Sequence, residues 1–214
     1  MRRNRIIIVF AVALLLPTFT MAKGVAISGR FLNTQGLGGE LIGSITDRFN
    51  ARLGYNYLSF SYTQETEEVS LDSDLLLSSI NIFVDYFIVA DLHLSGGAVI
   101  NNNSSSSFGI PSQSFSYGGF DFTPEEIGAM TVDITYDKLA PYIGIGYGNP
   151  VGEGKVRFVF DLGVFYQNSP SIALDATNML EPTEKNAYII ENNLKDLKFM
   201  PVLSMGITFR VFNY

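Results

Sequence analysis

The stretch that decides the fold is the last one, "KFMPVLSMGITFRVFNY" (residues 198–214). Its apolar residues recur at a spacing of two. Phe199, Leu203, Met205, Ile207, Phe209 and Val211 share one parity, and Val202, Ser204, Gly206, Thr208 and Arg210 take the other. Alternation of this kind describes a strand with different surroundings on its two faces. A half-buried strand of a soluble sheet satisfies it, and so does a strand set between lipid and a polar lumen. The choice rests on the remainder of the chain.

The same pattern returns upstream. "KVRFVFDLGVFYQ" sets Val156, Phe158, Phe160, Leu162, Val164 and Tyr166 against Arg157, Asp161, Gly163 and Gln167. "GAMTVDITY" sets Met130, Val132, Ile134 and Tyr136 against Thr131, Asp133 and Thr135, and "ADLHLSGGAVI" sets Leu92, Leu94, Ala98 and Ile100 against Asp91, His93 and Ser95. "RFNARLGYNYLSFSY" and "DLLLSSINIFVDYF" behave alike. Each run is about as long as a tilted membrane strand of roughly 9–11 residues, or longer.

The connections fall into two kinds. "TDRFN", "DYFIVAD" and "YDKLAP" read as tight turns, whereas "TQETEEVSLD", "NNNSSSSFGIPSQSFSYGGFDFTPEE" and "GNPVGEGK" read as polar loops. Short turns at one end and long loops at the other is the asymmetry of an outer-membrane barrel, with the turns periplasmic. Counting strands on that basis gives ten, with "VAISGRFL" and "SIALDAT" (171–177) as the weakest members. It gives eight if those two are not strands. Residues 181–198 break the alternation. Ala187, Ile190, Leu194 and Leu197 stand three and four apart, which predicts a short amphipathic helix before the last strand.

Taking the aromatic-rich parity as outward, the inward set includes Glu40, Arg52, Asp85, Asp91, His93, Asp133, Arg157, Asp161 and Arg210. In a soluble barrel these charges would stand in an apolar core, where each unpaired one costs several kcal/mol. A membrane barrel reverses the rule and places them in its lumen. There they are expected to pair into a network that fills a small interior. Tyr55, Tyr57, Tyr86, Tyr136, Tyr147 and Tyr166 stand near strand ends, as aromatic girdles require.

The N-terminus agrees on the compartment. "MRRNR", an eleven-residue apolar core and small residues up to Ala22 read as a secretory signal peptide, residues 1–22. One barrel domain, 23–214, follows. Without the three arginines of that segment, 11 basic residues face 21 acidic ones, so nucleic acid is not an expected partner. The chain has no cysteine, which removes disulfide scaffolds and thiolate metal sites.

In "LAPYIGIGYGNP" (139–150), "FDLGVFYQNSP" (160–170) and "VLSMGITFRVF" (202–212) the chain resembles the small outer-membrane β-barrel proteins of Gram-negative bacteria, of the opacity-protein and OmpA-like transmembrane type. The resemblance covers nearly all of residues 23–214, as a pattern more than a motif. It implies an antiparallel transmembrane β-barrel of 8–10 strands in the cell outer membrane. Its implied partners are outer-membrane lipid, lipopolysaccharide and the outer-membrane assembly machinery. That machinery would read alternate residues of the last strand, here Ile207, Phe209 and Val211; Phe212 and Tyr214 lie out of that phase.

Little chemistry is written in the sequence. His93 and Ser95 share a face with Asp91 and are spaced like the His-x-Ser of outer-membrane lipid A deacylases, but Gly96 follows where that family has asparagine. Same-face neighbours on a strand stand roughly 7 Å apart, too far for a direct hydrogen bond. The alternative reading of this lone histidine is a pH-sensitive partner of Asp91. No zinc or phosphate motif appears, and no cofactor, metal or catalytic residue is expected. The acidic run Glu65, Glu67, Glu68, Asp72 and Asp74 reads as a solvated outer loop. The expected role is that of an envelope structural or surface-interaction protein with an unspecified surface ligand. The alternatives are a narrow solute channel, through which inward Gly54, Gly144, Gly146 and Gly163 could open a path, and a His93/Ser95 hydrolase.

Overall fold

The computed structural model describes residues 24–213. The predicted signal peptide, residues 1–22, and Tyr214 lie outside them. In chain order the strands are β1 (Gly24–Asn33), β2 (Leu37–Ser44), β3 (Phe49–Glu65), β4 (Val69–Val89), β5 (Leu92–Asn101), β6 (Ser104–Pro111), β7 (Phe115–Tyr117), β8 (Phe120–Phe122), β9 (Met130–Thr135), β10 (Leu139–Tyr147), β11 (Val156–Tyr166), β12 (Ser171–Ala176) and β13 (Phe199–Asn213). Every pairing among them is antiparallel.

Eight strands close a barrel in the order β1–β2–β3–β4–β5–β10–β11–β13 and back to β1. Closure leaves no sheet edge within the ring. The expected range of 8–10 is met at its lower end. Both weak segments are strands, but "VAISGRFL" belongs to the barrel and "SIALDAT" does not. β3 and β4 have 17 and 21 residues, far more than a tilted crossing needs. Their upper halves leave the ring. There β4 pairs with β6 through residues 69–76, β6 with β9, and β9 with β12, forming an extension above the barrel.

This extension corrects the reading of two connections. "YDKLAP" is not a hairpin turn: β9 and β10 run the same way, one in the extension and one in the barrel. "GNPVGEGK" lies at the turn end, where Gly148 N–H donates to Asp91 O and Arg210 Nη1 to Gly152 O. β11 therefore rises and β13 descends without an extra barrel strand between them.

The side-chain phase inverts where the strands leave the ring. Within the barrel Leu53, Tyr55 and Tyr57 of β3 face outward; above it Leu58, Phe60 and Tyr62 take the opposite parity, continuous with the lumen side. By register Leu71, Leu75, Val132, Ile134, Ile172 and Leu174 share that inner face. Asp72, Asp74, Asp133 and Asp175 lie on the outer one. The outer face of the extension is polar where that of the ring below it is apolar. Asp133 is thus on the outer face of the extension and not in the lumen. The predicted helix is split into a 3-10 helix, Asn178–Asn186, holding Pro182, and an α-helix, Ala187–Leu194. It packs on β12, where the Glu191 and Glu184 carboxylates accept from the backbone N–H groups of Ile172 and Ala176.

Candidate functional site

The barrel interior holds three layers of side chains. The middle one is an ion-pair network drawn from six strands. Arg30 of β1 donates from Nε and Nη2 to Glu40 of β2 at 2.9 and 2.6 Å, and from Nη1 to Asp161 of β11 at 2.6 Å. Arg52 of β3 sets Nε 2.9 and 3.1 Å from the two oxygens of Asp85 on β4, and reaches Asp161 across the lumen at 3.2 Å. Ser95 of β5 donates to Asp85 at 2.7 Å and accepts from Arg52 at 3.1 Å. His93 Nε2 lies 3.3 Å from Asp161. All seven residues are buried, Asp85 fully so. Buried charges are tolerable here because each is paired and hydrogen-bonded by groups from another strand.

Toward the turn end Asp91 pairs with Arg157 at 2.5 Å, half-buried, while Arg157 and Arg210 also hold the carbonyl oxygens of Glu153 and Gly152. Those contacts fold the 148–155 loop under the barrel. Toward the other end the lumen is part amide, part apolar. Asn56 links Gln35, Asn33 and Ser79 by hydrogen bonds of 2.7–3.1 Å. Opposite, Phe83, Val99, Ala140, Tyr142, Phe165 and Val202 form an apolar cluster, with Tyr142 stacked on Phe83 at 4.1 Å between centroids. The gap between these layers, bordered by Gln35, Asn81 and Arg52, measures about 10 Å³, room for about one water.

Inward glycines make room for neighbouring side chains. An added β-carbon at Gly146 would strike His93 and Asp161; at Gly144 or Gly163 it would strike the Tyr142 ring; at Gly54 it would lie 2.9 Å from Glu40 Cγ. The space beside each of these glycines is taken by a neighbouring side chain. The contrast between adjacent glycines is testable. A β-carbon at inward Gly97 would strike the Ile82 carbonyl and lie 2.9 Å from Phe83 Cα, backbone that cannot swing away, whereas outward Gly96 has nothing within 4 Å. Gly97→Ala is expected to destabilise the refolded barrel by about 1–3 kcal/mol and Gly96→Ala by less than about 0.5 kcal/mol. Urea unfolding of both variants measures the difference.

Of the nine lumen charges expected from parity, the structure brings Glu40, Arg52, Asp85, His93 and Asp161 into one network. It places Asp91, Arg157 and Arg210 in a separate layer at the turn end, and Asp133 outside. His93 therefore meets Asp161 and not Asp91, whose charge Arg157 takes. Arg30 was missed, although it shares inward parity with Ala26 and Ser28 of a strand read as weak. Tyr142, in phase with Gly144 and Gly146, was also legible. No hydrogen bond joins His93 to Ser95, and the Ser95 hydroxyl is engaged by Asp85 and Arg52. The proposed assembly residues Ile207, Phe209 and Val211 lie on the outward face of β13. No cluster of three or more metal-ligating side chains occurs among the described residues.

The outward face of the ring is the opposite of the lumen. Within the ring the outward positions are apolar, aromatic, glycine or proline, except Ser78, which lies opposite Tyr57 at the upper margin. Ile143 is 67% and Ile82 51% exposed at mid-height. Aromatic residues mark both margins: Phe49, Tyr86, Tyr147 and Phe209 at the turn end, and Tyr55, Tyr57, Tyr166 and Phe199 at the other. Tyr136, expected in a girdle, follows β9 and lies in the extension.

No family model matches the chain, and no curated protein matches it. Among solved structures it is similar to CarO2 of Acinetobacter baumannii, with a TM-score of 0.60 and 18% identity over 89% of this chain and 99% of that one. It is also similar to CarO of the same organism, with a TM-score of 0.56 and 17% identity over 90% and 99%. At this identity the likeness is one of fold: an antiparallel β-barrel carried by nearly the whole chain.

Proposed function

We propose that this protein spans the outer membrane of a Gram-negative cell envelope as an eight-stranded barrel with a closed lumen, and works as a structural and surface-interaction protein through the extension above it. The observation that carries the reading is the inversion of polarity: an unbroken apolar belt around a ring whose buried centre is ionic. A water-soluble monomer rarely exposes a contiguous apolar patch beyond a few hundred Å², and this belt runs round the whole circumference. Lipid and lipopolysaccharide are its partners along the belt, and the assembly machinery, reading β13, inserts it. No catalytic role is assigned, since the one histidine and its neighbouring serine are both spent on the network.

Two measurements test this. The protein is expected in the outer-membrane fraction, with a gel mobility that changes on boiling; recovery in the soluble periplasm would end the membrane reading. In planar bilayers the inserted, folded barrel is expected to be electrically silent, because eight strands leave little free lumen and the network occupies it. Steady ion-selective openings would replace the closed-lumen reading with the narrow channel.

A further inference from the structure

The extension has two edges, and the protein treats them differently. At β12 the backbone N–H groups of Ile172 and Ala176 are taken by the Glu191 and Glu184 carboxylates, and the helical segment packs alongside. At the other edge β2 stops opposite Tyr57, so residues 58–65 of β3 pair with β4 on one side and with no described residue on the other. Eight residues at about 3.3 Å each make an open edge about 26 Å long. Every second residue along it directs its N–H and C=O outward, unpaired.

Along residues 58–64 the edge carries no charge to block strand addition. The segment "LSFSYTQE" contains no proline, lysine or arginine, and its register with β4 is unbroken, without a bulge. Its side chains alternate. Leu58, Phe60 and Tyr62, 39%, 56% and 51% exposed, line the inner face, while Ser59, Ser61 and Thr63 line the outer. The charge of its own hairpin has one sign: no lysine or arginine occurs between Arg52 and Lys138, whereas Glu65, Glu67, Glu68, Asp72 and Asp74 stand at or near the tip.

We infer that the upper half of β3 receives an extended segment of a basic partner polypeptide as an added strand. Main-chain hydrogen bonds would hold it, apolar residues at alternate positions would pack beside Leu58, Phe60 and Tyr62, and lysine or arginine would face the carboxylates. A second copy of this chain does not suit the edge. Two barrels in one membrane point the same way, so their β3 strands cannot meet antiparallel, and each would bring the same negative charge. That exclusion rests on the membrane reading; the charge complementarity does not.

The test uses the full-length barrel refolded in detergent micelles, with gel mobility before and after boiling reporting the fold separately. The probes are a fluorescent ten-residue peptide of alternating valine and lysine, its valine–glutamate counterpart, and two valine–lysine peptides N-methylated on alternate amides, one in each phase. The unmodified valine–lysine peptide is expected to bind, with a loss of at least about tenfold for one methylated phase, as several backbone hydrogen bonds disappear. The valine–glutamate peptide and the variant Phe60→Lys, which sets a cation on the edge, are expected to bind at least about tenfold more weakly by like-charge repulsion. Failure of the unmodified peptide to bind, or equal binding of all the valine–lysine peptides, would overturn the strand-addition proposal while leaving the membrane reading intact. A concentration-dependent dimer abolished by Phe60→Lys would overturn it in favour of self-association.

Discussion

Replacing Asp161 with alanine is expected to cost the folded barrel about 3–5 kcal/mol, the range for breaking a buried ion pair by removing one partner. Asp161 is where the network converges. It accepts from Arg30 at 2.6 Å and Arg52 at 3.2 Å and faces His93 at 3.3 Å, joining β11 to β1, β3 and β5 across the lumen. Without it Arg30 keeps Glu40, and Arg52 keeps Asp85 and a looser approach to Glu40 at 3.6 Å, but two buried guanidinium groups lose their common partner. Asp161→Asn retains one acceptor oxygen and is expected to lose less. Urea titration of the refolded barrel in lipid vesicles measures both. Wild-type stability of Asp161→Ala would mean that the lumen admits enough water to screen the arginines, and that it is not a plug.

Ile143→Arg is expected to cost about 2–4 kcal/mol in a bilayer, the penalty for a cation on the lipid face at mid-height. Ile143 is the central outward residue of β10 and is 67% exposed. It touches so little protein that the same substitution in a water-soluble barrel would fall within about 0.5 kcal/mol. The size of the result therefore reports which solvent surrounds the belt. Unfolding from vesicles, with Tyr147→Arg at the turn-end margin as a shallower comparison, measures it; indifference to arginine at position 143 would contradict the membrane reading. At the margin the expected penalty falls to about 0–1 kcal/mol.

These expectations draw on information of two kinds. The alternation in β13, β11 and β5, read with the charges that fall on one parity, indicated the barrel class from sequence, because a strand's period of two sorts its two faces whatever the strands are paired with. The same period placed Glu40, Arg52, Asp85, His93 and Asp161 on inward faces. It failed at Asp133 for a physical reason. Parity says only that two faces differ, and which of them is apolar switches where the strands leave the ring. Met130, Val132 and Ile134 are apolar for the opposite reason from Leu92 and Leu94. The switch from Tyr57 to Leu58, two apolar residues in succession in an alternating strand, is its mark in the sequence.

What only the tertiary structure decided is which residues meet. Strand count depended on β9 and β12 leaving the ring, a matter of long-range pairing that no local pattern records. Which side chains stand beside the inward glycines, here Tyr142, His93 and Glu40, follows from the same pairing. Ion-pair partners follow from closure. Arg30 and Asp161 are 131 residues apart in sequence and 2.6 Å apart in space because the ring closes between β13 and β1. Periodicity along one strand determines the side of the sheet on which a charge lies. The register summed around eight strands determines its height in the lumen, and height is what selects its partner.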